Sequence, residues 1–140
     1  MTPRLASQEY LAAEVEAADP LHCIVLLHEG AARFTREAIR HIERQDFEGA
    51  HSAFVKAKSI VMHFLASIPE EDDGDLAANL RGLLRYAFSK LVEGNLRKDP
   101  QCAEEALQVL RTLGEGWATL ELQRPASPEA PNPTGAAYLV

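Results

Sequence analysis

An aspartate followed by a proline at 19–20, and again at 99–100, marks two helix starts in a chain that shows no alternating apolar and polar strand pattern. The Asp carboxylate accepts the free amide hydrogens of a first helical turn, and proline has the right φ for the first helical position, where a missing donor costs nothing. From Pro20 to about Gln45, the residues Ile24, Leu27, Ala31, Phe34, Ala38 and Ile42 recur in steps of three and four, so they share one face of an amphipathic helix. Gly30 lies inside this helix, where glycine is about 1 kcal/mol worse than alanine, and that argues for close approach by a neighbouring backbone or a ligand.

The same reading extends down the chain. Asp46 caps a second helix from Phe47 to about Ile68, stopped by Pro69, with Phe47, Ala50, Phe54, Ala57, Val61, Leu65 and Ile68 inward. Val55 and Met62 fall to one side of that stripe, which leaves them partly exposed. A third helix from about Leu76 to Arg97 turns Leu76, Leu80, Leu83, Ala87 and Leu91 to the core. Leu84, Phe88 and Val92 widen its apolar surface beyond the stripe of about 100° that a surface helix needs. The fourth helix begins at Asp99 and Pro100 and carries Ala103, Ala106, Leu110, Leu113 and Trp117, with fraying expected at Gly114 and Gly116. Four helices with short connections predict an all-α, antiparallel four-helix bundle. Residues 1–18 read as a mobile arm, 19–121 as the bundle and 122–140 as a disordered tail rich in Pro, Ala and Ser, whose Tyr138, Leu139 and Val140 are a minor docking-peptide alternative.

Composition narrows the function. A net charge of −7 with scattered Lys and Arg argues against a nucleic-acid partner, because phosphate binding needs clustered cations. No apolar run approaches the roughly 20 residues that cross a bilayer, so no membrane insertion is expected and a cytoplasmic location is the default. Cys23 and Cys102 are far apart and read as reduced packing residues rather than a metal knuckle or redox pair. The acidic segment 70–75 lacks the ligand alternation of a calcium loop.

Five histidines raise a metal question. Glu48 and His51 form one Glu-x-x-His pair, but a bundle di-iron site needs two, and the fourth helix has no histidine. No metal or other cofactor is therefore expected. His51 near Lys56 also resembles a histidine phosphotransfer bundle, the alternative function, although Phe54 and Val55 stand where that module places a lysine and a small residue. No nucleophile elbow, phosphate loop or paired-carboxylate motif is present, so nothing points to an enzyme.

The order Tyr10, Val15, Ala18, Asp19, Pro20, Leu27, Glu29, Gly30, Ala31 resembles the opening of the FliS-type flagellar secretion chaperones. There a tyrosine and a valine precede a Ser-Pro helix start and a Leu-Tyr-Asp-Gly-Ala segment. Matches continue at Asp46, Phe47, Glu48 and Ala50, at Ala57, Lys58 and Ile60, at Asn79–Leu80, from Leu83 to Tyr86, and at Leu91, Asn95, Asp99 and Trp117, covering about residues 8 to 120. Three departures stand out: His28 replaces the tyrosine, Asp19 the helix-start serine and Leu84 the second aromatic. Asp19 preserves capping, whereas His28 changes a hydrogen-bonding group.

The resemblance implies a cytoplasmic, non-enzymatic chaperone with the same helical bundle. It would bind the disordered C-terminal region of flagellin, prevent premature polymerisation and deliver the subunit to the flagellar export gate. In the family the N-terminal arm covers apolar surface when flagellin is absent, which assigns that role here to Tyr10, Leu11 and Val15. Candidate partner contacts in the bundle are His28, Val55, Met62, Leu84 and Phe88, and the free form is left open to weak homodimerisation.

Overall fold

The computed structural model describes residues 19–69, 71 and 74–124, so Tyr10, Leu11 and Val15 of the expected arm, and the tail beyond Arg124, lie outside the described residues. Four helices follow one another: α1 (Pro20–Glu43), α2 (Phe47–Ser67), α3 (Asp75–Arg97) and α4 (Pro100–Gln123). Each start has a local cause. Asp19 accepts from the His22 amide at 2.9 Å, Asp46 from Gly49 at 3.0 Å and Asp99 from Gln101 at 2.9 Å, and Pro20 and Pro100 occupy the first turns they cap. α3 starts at Gly74 without a side-chain cap. The tight turns into α2 and α4 bring Gln45 to φ 61° and Lys98 to φ 52°, the left-handed conformation common just past a helix end.

Polar pairs fix the antiparallel order. His22 at the start of α1 lies 2.7 Å from Glu121 at the end of α4, Asn95 late in α3 donates to His51 early in α2 at 3.0 Å, and Lys90 reaches Glu105 at 3.1 Å between α3 and α4. The helices form an all-α four-helix bundle in which each one packs against its two neighbours in a closed ring. The core is a column of alanines, including Ala31, Ala38, Ala57 and Ala103, interleaved with Phe54, Val61, Leu91 and Leu110. Small residues at the seams let the helix axes approach, and the few large side chains fill the layers between them.

Several expected placements are corrected. Phe47 at the first turn of α2 is exposed, because the chain enters the bundle only at Ala50. In α3 the buried stripe runs through Leu84, Ala87, Leu91 and Gly94, so Leu76 (73% exposed) and Leu83 (43% exposed) turn outward while Leu84 (4% exposed) turns in. Gly114 and Gly116 do not fray α4, which continues to Gln123. Gly114 packs over His28, and Trp117, Leu113 and the Glu121–His22 pair hold the last turns. The close approach expected at Gly30 is ordinary contact, since an added Cβ would stand 3.4 Å from Ile60.

Gly49 is the tight position instead. A Cβ there would overlap the Asp46 carboxylate and come within 2.6 Å of His41 Nδ1, the two groups that pair across the α1–α2 turn at 2.9 Å. Gly49→Ala is expected to break that cap and lower stability by about 1 kcal/mol despite the better helix propensity of alanine. Gly116→Ala has nothing within 4 Å of its new Cβ and should gain stability by up to about 1 kcal/mol. Thermal melts of the two variants check this opposition in sign.

Candidate functional site

Five of the ten exposed large apolar side chains among the described residues lie on α3: Leu76, Leu83, Tyr86, Val92 and Leu96. None lies on α1. The cause is the breadth of the apolar arc on α3. Packing uses the Leu84–Ala87–Leu91 line and leaves hydrophobic residues on both flanks of the helix.

One flank follows the α2–α3 seam. The His51–Asn95 bond marks that seam, and helical steps of three and four from His51 place Val55 and Met62 on its α2 edge. Steps back from Asn95 place Val92 and Phe88 on the α3 edge. Val55, Met62 (49% exposed) and Val92 reach solvent there, and Phe88 is half-buried against the core. The other flank is a recess of about 310 Å³ between α3 and α4, bordered by Leu83, Tyr86, Val109 and Leu113 with Glu105, Gln108 and Thr112 on its rim. The bond to Glu105 holds the Lys90 ammonium above its ordinary pKa, so its positive charge is secure beside Tyr86. Leu83, Tyr86 and Val109 had no place among the sequence-based candidates; the spacing of Leu83 with Tyr86 was visible, but the helix it faces was not.

A third apolar feature closes one end of the bundle. Residues from all four helices line a cavity of about 440 Å³, with Ile24, Leu27, Phe64, Ile68, Leu80, Leu84, Leu113 and Trp117 as its apolar walls. His28 (2% exposed) stacks on Phe64 at 4.2 Å between ring centroids and lies 6.4 Å from the Trp117 ring. Burial pushes the His28 imidazole down to about 4, so it is neutral at pH 7. Its Nδ1 and the Trp117 indole nitrogen are buried without hydrogen-bond partners. At the rim, Arg124 donates to both Asp19 oxygens, at 3.1 and 3.0 Å, and this bond together with the His22 amide holds the Asp19 carboxyl below its ordinary range.

The candidates therefore separate in space. Val55, Met62 and Phe88 share the α2–α3 seam, whereas Leu84 and His28 belong to the walls of the end cavity. Among the described residues no group of three or more His, Cys, Asp or Glu side chains is arranged to hold a metal, and no helix is long and apolar enough to cross a membrane.

A family model described as flagellar protein FliS matches residues 3–124. The chain is similar to the flagellar secretion chaperone FliS of Salmonella typhimurium, with 33% identity over 104 residues that cover 74% of this chain and 77% of the relative. It is also similar to FliSB of Pseudomonas aeruginosa, with 29% identity over 110 residues covering 79% and 87%, and to FliS of Bacillus subtilis, with 23% over 103 residues covering 74% and 76%. A helical bundle with outward apolar seams, matched by the family model across every described helix, places this chain in the FliS family of flagellar secretion chaperones.

Proposed function

We propose that this protein binds the C-terminal region of flagellin in the cytoplasm, holds it unassembled and presents it to the flagellar export gate. The observation that carries the reading is the concentration of exposed apolar residues on the two flanks of α3. Apolar seams between helices accept an amphipathic partner helix through anchors spaced at three and four residues, and a segment that folds on binding needs such area to offset an ordering cost of about 2 to 5 kcal/mol. The acidic net charge tunes encounter and selectivity more than strength. Val55, Met62 and Phe88 with Val92 supply one seam; Leu83 and Tyr86 supply the other.

Residues 1–18, with Tyr10, Leu11 and Val15, act as a cover for apolar surface in the absence of flagellin. The bundle spanning 19–121 is the binding unit. Weak self-association of the free form would use the same α3 flanks, where half of the exposed large apolar side chains among the described residues lie.

Titration calorimetry with a peptide of the flagellin C-terminal region tests the proposal, with a 1:1 complex as the expected result. The double substitution Met62→Asp and Val92→Asp changes solvent-facing positions and should leave the fold intact. It removes apolar anchors worth roughly 1.5 to 3 kcal/mol each, so affinity should drop by about a hundredfold or more. A folded wild-type sample without flagellin binding would end the partner assignment. Undiminished binding by the folded double variant would move the site elsewhere.

A further inference from the structure

Arginines spread along the sequence are gathered by the helical period onto one face of α1. Arg33, Arg36 and Arg40 stand in steps of three and four, Arg44 follows one step past the helix end, and all four are exposed. Across the α1–α4 seam, Arg36 and Arg111 line the same recess of about 210 Å³, together with the small side chains of Ala32 and Ala118. On the α2 side, Arg33 and Lys56 both stand over the Phe34 ring, 5.0 and 5.4 Å from its centroid. Cations from three helices thus border one surface of a chain whose net charge is −7.

The fold itself does not use this charge. Among the described residues, the Arg33, Arg36, Arg40, Arg44 and Arg111 side chains make no ion pair. Like charges three and four residues apart work against a helix. The helix dipole favours cations only in the last turn, which accounts for Arg40 and Arg44 but not for Arg33, Arg36 or Arg111. α1 also lies diagonally across the ring from α3, so its outer face stays open while the α3 flanks are occupied.

The guanidinium fork matches a carboxylate through two parallel hydrogen bonds, and a helix with carboxylates in steps of three and four repeats the spacing of this stripe. Glu37 stands on the flank of the stripe, and the antiparallel order puts Glu29 and Glu115 together at the other end of the recess. These three acids would repel a uniformly charged nucleic-acid backbone, whereas a protein segment can carry acids at one end and neutral or basic residues at the other. We infer that the outer face of α1 with Arg111 docks an acidic helical segment of a second protein, its carboxylates on Arg33, Arg36, Arg40 and Arg111. The inference does not depend on flagellin occupying the α3 flanks.

The isotope-labelled full chain is titrated at low ionic strength and followed by NMR. The probes are an alanine-based helical peptide with glutamates in steps of three and four, the same peptide with glutamines, and a single-stranded oligouridylate. The glutamate peptide is expected to shift the amides from Arg33 to Arg40 and those around Arg111, with affinity falling at least about tenfold when salt is raised to about 0.5 M. Arg36→Gln with Arg111→Gln, both at exposed positions, should weaken that binding about tenfold. Lys58→Gln with Arg97→Gln removes the same charge from α2 and α3 and should change it by less than about twofold. The inference is overturned if the glutamine peptide binds equally, if the shifts fall elsewhere or do not occur, or if the two double variants lose affinity alike. Tighter binding of the oligouridylate at the same amides would also overturn it, by making this a nucleic-acid surface.

Discussion

Acidification from pH 7 to about pH 4 is expected to remove roughly 3 kcal/mol of folding stability through His28 alone. The sign follows from proton binding. In the unfolded chain the imidazole takes up a proton near its ordinary value of 6.5, while in the bundle burial holds it neutral down to about 4. Between those values the unfolded chain binds more protons, so the stabilisation is complete above about 6.5 and is lost as pH falls toward 4. His22 with Glu121, His63 and Glu29 surround this end, so the effect is isolated by difference. His28→Phe should keep the stack on Phe64 and flatten the stability profile in that window, measured by urea unfolding from pH 7 down to pH 4. An equal slope in the variant would show that other groups carry the acid response. Asp19 and Asp46 act in a separate and lower window. Their carboxyls are held below the ordinary value of 3.8, so what they contribute is present above that value and is lost as pH falls through their folded values.

Phe54→Ala is expected to destabilise the bundle by about 3 to 5 kcal/mol. Phe54 is fully buried and is the largest such side chain in the core. Its ring edge meets the place where α3 comes nearest, since a Cβ on Gly94 would lie 3.3 Å from it and equally near Cys102 of α4. Truncation thus opens a cavity where three helices meet, and the neighbouring alanines have no reach to fill it. A total stability of about 5 to 15 kcal/mol leaves such a variant marginal. The measurement is the urea midpoint at constant m-value, and a loss under about 1 kcal/mol would mean that the core collapses around the gap.

The contrast between Phe54 and Leu84 shows how far periodicity reaches. Phe54 lies at the centre of a narrow stripe in α2, so its burial was legible. α3 carries apolar residues over roughly half its circumference, and a wide arc has no unique centre. Periodicity turns Leu76 and Leu83 to the core and makes Leu84 a candidate partner contact on the widened arc, yet the packing line through Ala87, Leu91 and Gly94 exposes the first two and buries Leu84. Gly94 lies on that buried line, where a Cβ would stand 3.3 Å from both Phe54 and Cys102. In α4, two glycines suggested fraying, but tertiary contacts at Gly114, Trp117 and Glu121 overrode the local propensity.

Spacing and capping are enough to give the elements: the capped starts at Asp19, Asp46 and Asp99, the four helices with boundaries close to those observed, and the exposure of Val55 and Met62. These follow from interactions within a few residues of one another, which is the range that spacing and capping report. Which arc of α3 is buried depends on how the helices pack, and so does the meeting of His28, Phe64 and Trp117, from three different helices, in the lining of one cavity. Helical period places a side chain on a face but leaves the facing helix and the rotation about the axis undetermined. Both are settled by how small residues let the helices close on one another. His28, one of three departures from the family pattern when seen in sequence, becomes in the fold a buried neutral group stacked on Phe64.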